Sequence, residues 1–368
     1  MKDAFAVDLK GCRARQARLL EQLQSLDVEH AILMRPESVQ WLTGAYVSPL
    51  FTTAAAISAD GNVTLVVPAH IAEMRLAASQ IIPYDGQWLA TIRDEQLTAC
   101  RQKLLESLPH GFARIGAEFS YLDRTSQETL PAGFIDIEEI LLHLRRRKDP
   151  DELRMLARAN EANQAMYEHA RSIIEPGIAE LDVYNLLHTV ATNVLREPIS
   201  YFGQDFQCCS PGGPPRDRVA KKGELYILDL GVGYRGYRSD NCRTFSVDGH
   251  VSGVQQEAWE AIAAVFPLIE LTVRPGVNCK SIYEQVNSML ADFEPGEFSH
   301  HLGHGVGLAP HEGPRLNPNW DDPFEQGNYF TVEPGLYHDE LRQGIRLEQN
   351  YVVTADGVEL VTPWPLEM

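Results

Sequence analysis

The sequence is poor in cysteine, and the cysteines that it has do not form recognisable metal or redox pairs. There are six in 368 residues, and none has the C-x-x-C spacing that is typical of thiolate zinc sites and thioredoxin-like motifs. Disulfide frameworks stabilise small secreted domains, so a chain of this length has no need of one. We therefore expect free thiols and a cytoplasmic protein, in which the adjacent Cys208 and Cys209 are small half-buried residues rather than a redox pair.

Positive charge and long apolar runs are also scarce. The chain has 32 Lys and Arg residues against 51 Asp and Glu residues, which gives a formal net charge of −19. This imbalance argues against nucleic acid or an anionic membrane as a partner, and no apolar run is long enough to cross a bilayer. The composition, 44% hydrophobic and 23% charged, is that of an ordinary globular protein, and the length allows two domains with sizeable cores.

The first part of the sequence alternates between helical and strand-like patterns, which predicts a small α/β domain. The expected helices cover residues 12–26, 69–80 and 95–107, and the expected strands cover residues 30–34, 54–58, 63–67, 81–84 and 114–118. This domain shows no cluster of metal ligands in its sequence. We place its end at the charged run around Arg147, interpreted as a solvated turn, and predict domains of residues 1–147 and 148–368.

The second domain begins with two amphipathic helical patterns, at residues 151–174 and 180–195. The stretch 198–215 that follows is rich in glycine, proline and cysteine, so we interpret it as irregular chain that forms a pocket wall. Next, the run from Tyr226 to Ser246 has strand-like residues on both sides of three glycines, which predicts a β-hairpin.

This predicted hairpin brings two carboxylates together. Asp229 and Asp240 lie at equal distances from its tip, so without a bulge they face each other on neighbouring strands. Directly opposed residues have Cβ atoms about 5 Å apart, and two carboxylates that close repel unless a cation separates them. Ions in a two-metal site are about 3.5–4 Å apart, so the pair is a candidate metal site; the alternative is two solvated acids on a surface hairpin.

Three further residues have the chemistry of metal ligands. Four histidines fall between residues 300 and 311, and the glycines that flank His304 allow its backbone to approach a neighbouring segment closely. Segment 329–353 predicts a second hairpin, with Glu333 on one strand and Glu348 on the other. With the two aspartates these residues form an oxygen-rich donor set, which suits Mn²⁺, Fe²⁺, Co²⁺ or Zn²⁺ in a dinuclear site better than a structural zinc.

Five short motifs occur in one order along the second domain. They are D-L-G at 229–231, G-Y-R-S-D at 236–240 followed by R-T-F at 243–245, G-H-G-V-G at 303–307, E-P-G at 333–335 and G-I-R-L-E at 344–348. This pattern resembles the pita-bread metallopeptidases, a family that includes methionine aminopeptidase, Xaa-Pro aminopeptidase, prolidase and creatinase. W-L-T-G at 41–44 resembles the N-terminal domain of the prolidase branch. The resemblance implies an α/β (α+β) protein of two domains, a small N-terminal creatinase/prolidase-like α/β domain and a C-terminal pita-bread catalytic domain.

The resemblance also implies a cofactor and an activity. Its five metal ligands match Asp229, Asp240, His304, Glu333 and Glu348, and they imply two divalent metal ions, which can be manganese, cobalt, iron or zinc. Asp240 and Glu348 would bridge the ions, and Glu333 would be the general base for a metal-bridging hydroxide. The implied enzyme is a metal-dependent Xaa-Pro dipeptidase or aminopeptidase that cleaves the Xaa-Pro bond of dipeptides or short peptides, and the implied assembly is a homodimer.

Other roles follow from the same resemblance. His311 and His300 match catalytic, substrate-binding histidines, and Arg346 resembles an arginine that holds the acidic cluster from outside. Arg315 resembles the arginine that binds the free carboxylate of a dipeptide, a bond that a guanidinium makes with two parallel N–H groups. His301 matches no functional position and is expected only to fill space.

One position departs from the family. Its members carry a substrate-binding histidine before a P-x-D-R turn, here Pro215 to Arg218, and Gly212 stands in the place of that histidine. Loss of one donor to a developing oxyanion typically costs about 10²–10³ in kcat, so we expect weak Xaa-Pro hydrolysis and a higher turnover for Gly212→His. Two alternatives stay open: a metal-dependent hydrolase or lyase of a non-peptide small molecule on the same fold, and a non-catalytic binding homologue.

Overall fold

The computed structural model of the protein describes residues 7–109, 111, 113–130, 133–291, 293–294 and 296–368. The chain divides into two compact units, Met1–Arg145 and Arg146–Met368, so the division lies close to the boundary that the sequence suggests. Each unit has its own sheets and its own core of buried apolar side chains. Among the described residues no helix is both long and apolar enough to cross a membrane.

One six-stranded mixed sheet forms the centre of the first unit. The elements of this unit are α1 (Leu9–Ser25), β1 (His30–Leu33), α2 (Pro36–Thr43), β2 (Ala54–Ser58), β3 (Val63–Pro68), β4 (Gln80–Tyr84), β5 (Gln87–Trp88), β6 (Thr91–Ile92), α3 (Gln96–Ser107), β7 (Arg114–Ala117), α4 (Arg124–Thr129), β8 (Gly133–Asp136) and α5 (Glu138–Arg146). The strands lie in the order β4-β3-β2-β1-β7-β8. Ala99, Cys100 and Leu104 of α3 join the core that covers the sheet. The α/β class expected for this domain is confirmed.

The helix expected over residues 69–80 is wrong. Only Ala69–Ile71 form a single 3₁₀ turn, and the chain then continues through turns and bends to β4. The backbone N–H of Ala77 donates to Thr43 O at 2.9 Å, and that of Ser79 donates to Val63 O at 2.8 Å. These tertiary hydrogen bonds prevail because intrinsic helix propensity differs between ordinary residues by only a few tenths of a kcal/mol.

In its described residues the second unit combines five α-helices with two larger antiparallel sheets. Its elements are α6 (Pro150–Ile173), α7 (Glu180–Leu195), β9 (Tyr201–Cys208), β10 (Leu225–Tyr234), β11 (Tyr237–Arg238), β12 (Asn241–Ser246), α8 (Gly253–Ala263), α9 (Val265–Thr272), α10 (Cys279–Ala291), β13 (Gly303–Gly305), β14 (Glu312–Leu316), β15 (Tyr329–Val332), β16 (Gly335–Leu336), β17 (Ile345–Arg346), β18 (Gln349–Val353) and β19 (Val358–Leu360). One sheet has the order β11-β10-β12 with β9 beside β10, and the other has the order β14-β13-β15-β18-β19.

Helix α6 packs against the first of these sheets and makes hydrogen bonds to its strand β10. The helix begins with Pro150 at its first position, and the Asp149 backbone N–H donates to Glu152 Oε2 at 3.0 Å, so one otherwise unpaired donor near the helix start is satisfied. Further along, Asn163 Nδ2 donates to Leu230 O at 2.7 Å, and the Tyr167 hydroxyl donates to Leu228 O at 3.2 Å. These bonds fix the carbonyl groups on both sides of residue 229 in β10.

Two interpretations of loops in this unit are wrong. The charged run is not a solvated turn, because Arg146 Nη1 lies 3.1 Å from Asp322 Oδ1 and buried Lys148 Nζ lies 2.7 Å from Glu312 Oε2. The stretch 198–215 is not irregular throughout, because it contains the eight-residue strand β9. Each residue of β9 pairs antiparallel with β10, so the strand extends the sheet on the side opposite β12.

Candidate metal centre

The β10–β12 hairpin carries Asp229 and Asp240, but its register differs from the expected one. Asp229 pairs with Cys242 and Leu230 pairs with Asn241, so Asp240 comes level with Gly231 and lies diagonally across from Asp229. The cause is the two-residue turn at Arg235 and Gly236, whose φ angles of 47° and 88° are those of a type I′ hairpin turn. A shift by two residues keeps both side chains on one face of the sheet, so the two carboxylates still converge.

The second hairpin places Glu333 and Glu348 opposite each other. The β15–β18 pairing ends at Val332 with Gln349, and the β16–β17 pairing resumes in the same register at Gly335 with Arg346. The two glutamates therefore lie level at the interruption between the two ladders. The backbone N–H of Glu348 donates to Cys242 O at 3.1 Å, which ties this hairpin to the one that carries the aspartates.

His304 adds an imidazole from the short strand β13. A Cβ on Gly303 would lie 2.7 Å from the Thr331 carbonyl carbon, and one on Gly305 would lie 2.5 Å from that of Gly313, so only glycine allows this backbone packing. His304 Nδ1 lies 3.0 Å from Gly305 O, which assigns the proton to Nδ1. Nε2 then faces the acids, at 3.2 Å from Glu333 Oε1 and 3.7 Å from Asp240 Oδ2.

These four carboxylates are all buried, and their pKa values are strongly perturbed. The exposed fractions are 4% for Asp229, 7% for Asp240, 7% for Glu333 and 1% for Glu348. Burial, with repulsion between the acids, raises the pKa values of Asp240 and Glu348 well above their usual range, and burial also raises that of Asp229. Burial opposes ionisation of Glu333 as well, but the hydrogen bond with His301 and the adjacent ring of His304 hold its pKa well below the usual value.

Arg346 neutralises only part of this charge. Its Nη2 donates to Asp229 Oδ2 at 2.9 Å and also to Asp205, while its Nη1 donates to the Tyr337 hydroxyl at 3.0 Å. The other oxygen of Asp229, Oδ1, is buried without a hydrogen-bond partner in the described part of the chain. Oxygen atoms of Asp229, Glu333 and Glu348 lie within 4.8 Å of one another. A buried, acceptor-only group of this kind fits divalent cations, because isolated buried carboxylates are costly to ionise.

Four of the five candidate metal ligands border a cavity of about 510 Å³ that is rich in histidine. Its lining includes Asp229, Asp240 and Glu333, the four histidines His300, His301, His304 and His311, and also Gln204, Asp205, Pro211, Ser299, Tyr337 and Arg346. His300 Nε2 lies 2.9 Å from the Tyr337 hydroxyl, and the ring of His311 is centred 4.0 Å from that of His304. Burial lowers the pKa values of both His300 and His311 to about 4, so both rings are neutral at pH 7.

His301 is not a space-filling residue. Its Nε2 lies 3.0 Å from Glu333 Oε1, and its side chain faces the cavity. Burial alone would lower the pKa of His301, but the hydrogen bond to Glu333 raises it above the usual value. The sequence showed an unusual density of histidines here, and that signal pointed to His301 as much as to its neighbours.

Asp205 and Tyr337 belong to the site and were missed in the sequence. Asp205 pairs with Asp229 across β9 and β10 and accepts a hydrogen bond from Arg346. It escaped notice because β9 was interpreted as irregular, although the aromatic residues Tyr201, Phe202 and Phe206 favour a strand. For Tyr337 the sequence offered no comparable signal.

The loop around Gly212, where the family has a histidine, packs directly against the side chain of Asp205. A Cβ on Gly212, which has a φ of 156°, would lie 2.8 Å from Asp205 Cγ, and the Gly213 N–H donates to Asp205 Oδ1 at 2.6 Å. A histidine at residue 212 therefore requires Asp205 or the loop to move. We accordingly replace the expectation of a higher turnover for Gly212→His by that of a lower one.

Arg315 lies outside the residues that line this cavity. It pairs with His304 across β13 and β14, but its guanidinium lies 3.8 Å from Asp322 Oδ2 and 5.4 Å above the centre of the Trp320 ring. The structure therefore brings together the five expected metal ligands, His300, His311 and Arg346, and leaves Arg315 apart from them.

Fold and site together define a metal-dependent peptidase of two domains. Residues 154–355 match the model of metallopeptidase family M24, and residues 15–147 match the creatinase/prolidase N-terminal domain. The chain belongs to metallopeptidase family M24, which confirms the resemblance read from the five motifs.

Several relatives cover almost the whole chain. An uncharacterized peptidase of Staphylococcus aureus is 27% identical in an alignment of 360 residues that covers 94% of this chain and 98% of the relative. Among solved structures, the prolidase from Pyrococcus horikoshii has a TM-score of 0.81 at 22% identity and covers 96% of this chain and 99% of its own. The Xaa-Pro dipeptidase from Bacillus anthracis has a TM-score of 0.81 at 23% identity, with 97% and 100% covered. These structures share the fold of this chain.

Proposed function

We propose that the protein hydrolyses the peptide bond before proline in dipeptides or short peptides, with two divalent metal ions held by Asp229, Asp240, His304, Glu333 and Glu348. The observation that carries this proposal is the convergence of four buried carboxylates and one imidazole beside a cavity of about 510 Å³. The names of the structural relatives, a prolidase and an Xaa-Pro dipeptidase, support the substrate class.

The donor set favours manganese, cobalt, iron or zinc, and Asp240 and Glu348 would be the ligands that the two ions share. When bound, such ions polarise the scissile carbonyl and lower the pKa of a water molecule. Glu333 is the residue best suited to accept the proton from that water, because its carboxylate lines the cavity beside His301 and His304. The Nε2 atoms of His301 and His304 lie 3.0 and 3.2 Å from Oε1 of Glu333.

Of the two neutral histidines at the cavity, His311 can offer its N–H to the substrate, whereas both ring nitrogens of His300 already have hydrogen-bond partners. His311, next to His304, is positioned to donate to the carbonyl oxygen as negative charge develops on it, a contribution typically worth about 10²–10³ in kcat. His300 is fixed by Tyr337 and by His301 O at 2.7 Å. Because Arg315 is engaged by Asp322 and Trp320, we propose short peptides as substrates alongside dipeptides.

A peptidase assay on metal-loaded protein tests this function. Chelator-treated protein is reloaded with Mn²⁺ or Co²⁺ and given an Xaa-Pro dipeptide, an Xaa-Pro tripeptide and the matching Xaa-Ala peptides. We expect hydrolysis of the Xaa-Pro bond, faster than that of Xaa-Ala and lost on chelation. An Xaa-Pro turnover no higher than that of Glu333→Gln protein under the same conditions would refute the proposal.

A second candidate is hydrolysis of a small non-peptide amide at the same metal centre. The observation that favours it is the closed loop at Gly212, which brings Pro211 rather than an imidazole to the cavity. The same assay with small proline-free amides distinguishes the two candidates by their relative kcat/KM. We also propose that the chain works as a cytoplasmic homodimer, which light scattering on the purified protein tests.

A further inference from the structure

His301 stands among the metal-binding groups although the family resemblance gives it no role. Its side chain is 37% exposed towards the cavity. The ring centre lies 5.4 Å from that of His304 and 6.0 Å from that of His311. The backbone holds His301 next to Glu333. Leu302 directly follows His301 in the chain, and its carbonyl oxygen accepts a hydrogen bond from the Glu333 N–H at 2.8 Å.

Two imidazoles approach one carboxylate oxygen at this point. Oε1 of Glu333 lies 3.0 Å from His301 Nε2 and 3.2 Å from His304 Nε2, and the three donor atoms lie within 4.8 Å of one another. Two imidazoles and one carboxylate form a donor set that binds Zn²⁺, Fe²⁺ or Co²⁺ in many proteins. The neighbouring set of Asp229, Glu333 and Glu348 contains oxygen donors alone.

We propose that His301 is a sixth metal ligand, which binds the same ion as His304 and Glu333. This inference rests on the proposed metal centre but not on the peptide substrate. With His301 as a ligand, the two ions would have different donor atoms. One ion would have two imidazole nitrogens among its ligands, and the other would have carboxylate oxygens. The site with two imidazoles favours zinc, iron or cobalt, whereas the oxygen-rich site accepts manganese as well.

Zinc-edge X-ray absorption tests the proposal, because imidazole ligands give a distinct scattering signature that can be counted. The samples are wild-type protein loaded with two zinc ions, the variant His301→Phe, and His300→Phe as a matched control from the same segment. His300 already packs edge-on against Phe298 at 5.1 Å, so an aromatic ring is tolerated there. We expect two imidazoles per zinc pair in the wild type and in His300→Phe, and one in His301→Phe.

A competition titration of Zn²⁺ against Mn²⁺ gives a second readout. Loss of a partner outside the ligand shell typically lowers metal affinity by about 10–100-fold, so loss of a direct ligand should lower zinc affinity at one site by more than about 100-fold. The preference for zinc over manganese at that site should fall as well. His301→Gln, with thermal unfolding measured in parallel, repeats the test if His301→Phe does not fold.

Three results would overturn the proposal: one imidazole per zinc pair in the wild type, an unchanged count in His301→Phe, or an equal loss of imidazole in His300→Phe. His301 would then act only as a hydrogen-bond donor to Glu333. None of these readouts uses peptide turnover, so an absence of Xaa-Pro hydrolysis would leave the inference standing. Failure of the wild type to bind zinc at all would refute the metal centre itself and this inference with it.

Discussion

Arg346 is the guanidinium that compensates the buried acids, so its removal gives a sharp test of the charge balance. Its Nη1 donates to Pro211 O and to the Tyr337 hydroxyl, both at 3.0 Å, and its Nη2 donates to Asp229 Oδ2 at 2.9 Å. The side chain is buried. Arg346→Met keeps the unbranched stem of the side chain and removes the charge and all of these donors.

The expected loss of unfolding free energy in Arg346→Met follows from the burial of Arg346 and of its partner Asp229. Removal of one partner of a buried ion pair costs about 3–5 kcal/mol, because the other charge is left uncompensated. We therefore expect metal-free Arg346→Met to lose about 3–5 kcal/mol of unfolding free energy. Bound divalent ions supply counter-charge to the same carboxylates, so the difference from the wild type should shrink when both proteins are loaded with metal.

Urea unfolding with chelator and with excess Mn²⁺ measures both differences. Arg315→Met is the matched control, since Arg315 is 35% exposed and lies 3.8 Å from its acid partner, and exposed pairs contribute about 0–1 kcal/mol. A loss below about 1 kcal/mol in metal-free Arg346→Met, or an equal loss with and without metal, would show that the reasoning about the acid cluster is wrong.

Three further predictions concern the base, the loop and pH. Glu333→Gln should lower kcat by about 10²–10⁴, measured with metal content on the same samples; a kcat within tenfold of wild type counts against its role as base. Gly212→His should lower Xaa-Pro turnover, because the new side chain displaces Asp205; a rise would mean that the loop can move to admit an imidazole. Metal-free protein should lose stability from pH 7 to pH 8, because Asp240 and Glu348, whose pKa values are raised well above their usual range, keep protons in the folded state that the unfolded state has released; the lowered pKa values of His300 and His311 act in the opposite direction only below about pH 6.5. Urea unfolding at pH 7 and pH 8 with chelator tests this, and greater stability at pH 8 would contradict the raised pKa values of Asp240 and Glu348.

Local sequence signals predicted the parts of the site that are close together in the chain. Glycines at the hairpin turns and the clustered apolar residues beside them placed each carboxylate in its hairpin, because turn chemistry and strand propensity act over a few residues. The register was wrong by two residues, since it depends on the turn type at Arg235 and Gly236, whose φ angles the sequence alone does not give. The error left Asp229 and Asp240 on one face because the side-chain period of a strand is two.

Contacts between distant segments were not predictable in this way. The pairing of β9 with β10, which brings Asp205 to Arg346, joins segments separated by a loop rich in glycine and proline. Similarly, the burial of Lys148 depends on Glu312 far along the chain, so the charged run looked like a solvated turn. His301 could be counted as one of four histidines, but its contact with Glu333 arises only from the pairing of two segments in the folded unit.

Metal analysis tests the central claim most directly, because every proposed role depends on ions bound by the acid cluster. Wild-type protein and Asp240→Ala are stripped with chelator, reloaded with Mn²⁺, dialysed and assayed for metal per chain. We predict two ions per chain in the wild type and fewer than two in Asp240→Ala, since that residue is a proposed shared ligand. Two tightly bound ions in Asp240→Ala, or none in the wild type, would contradict the account.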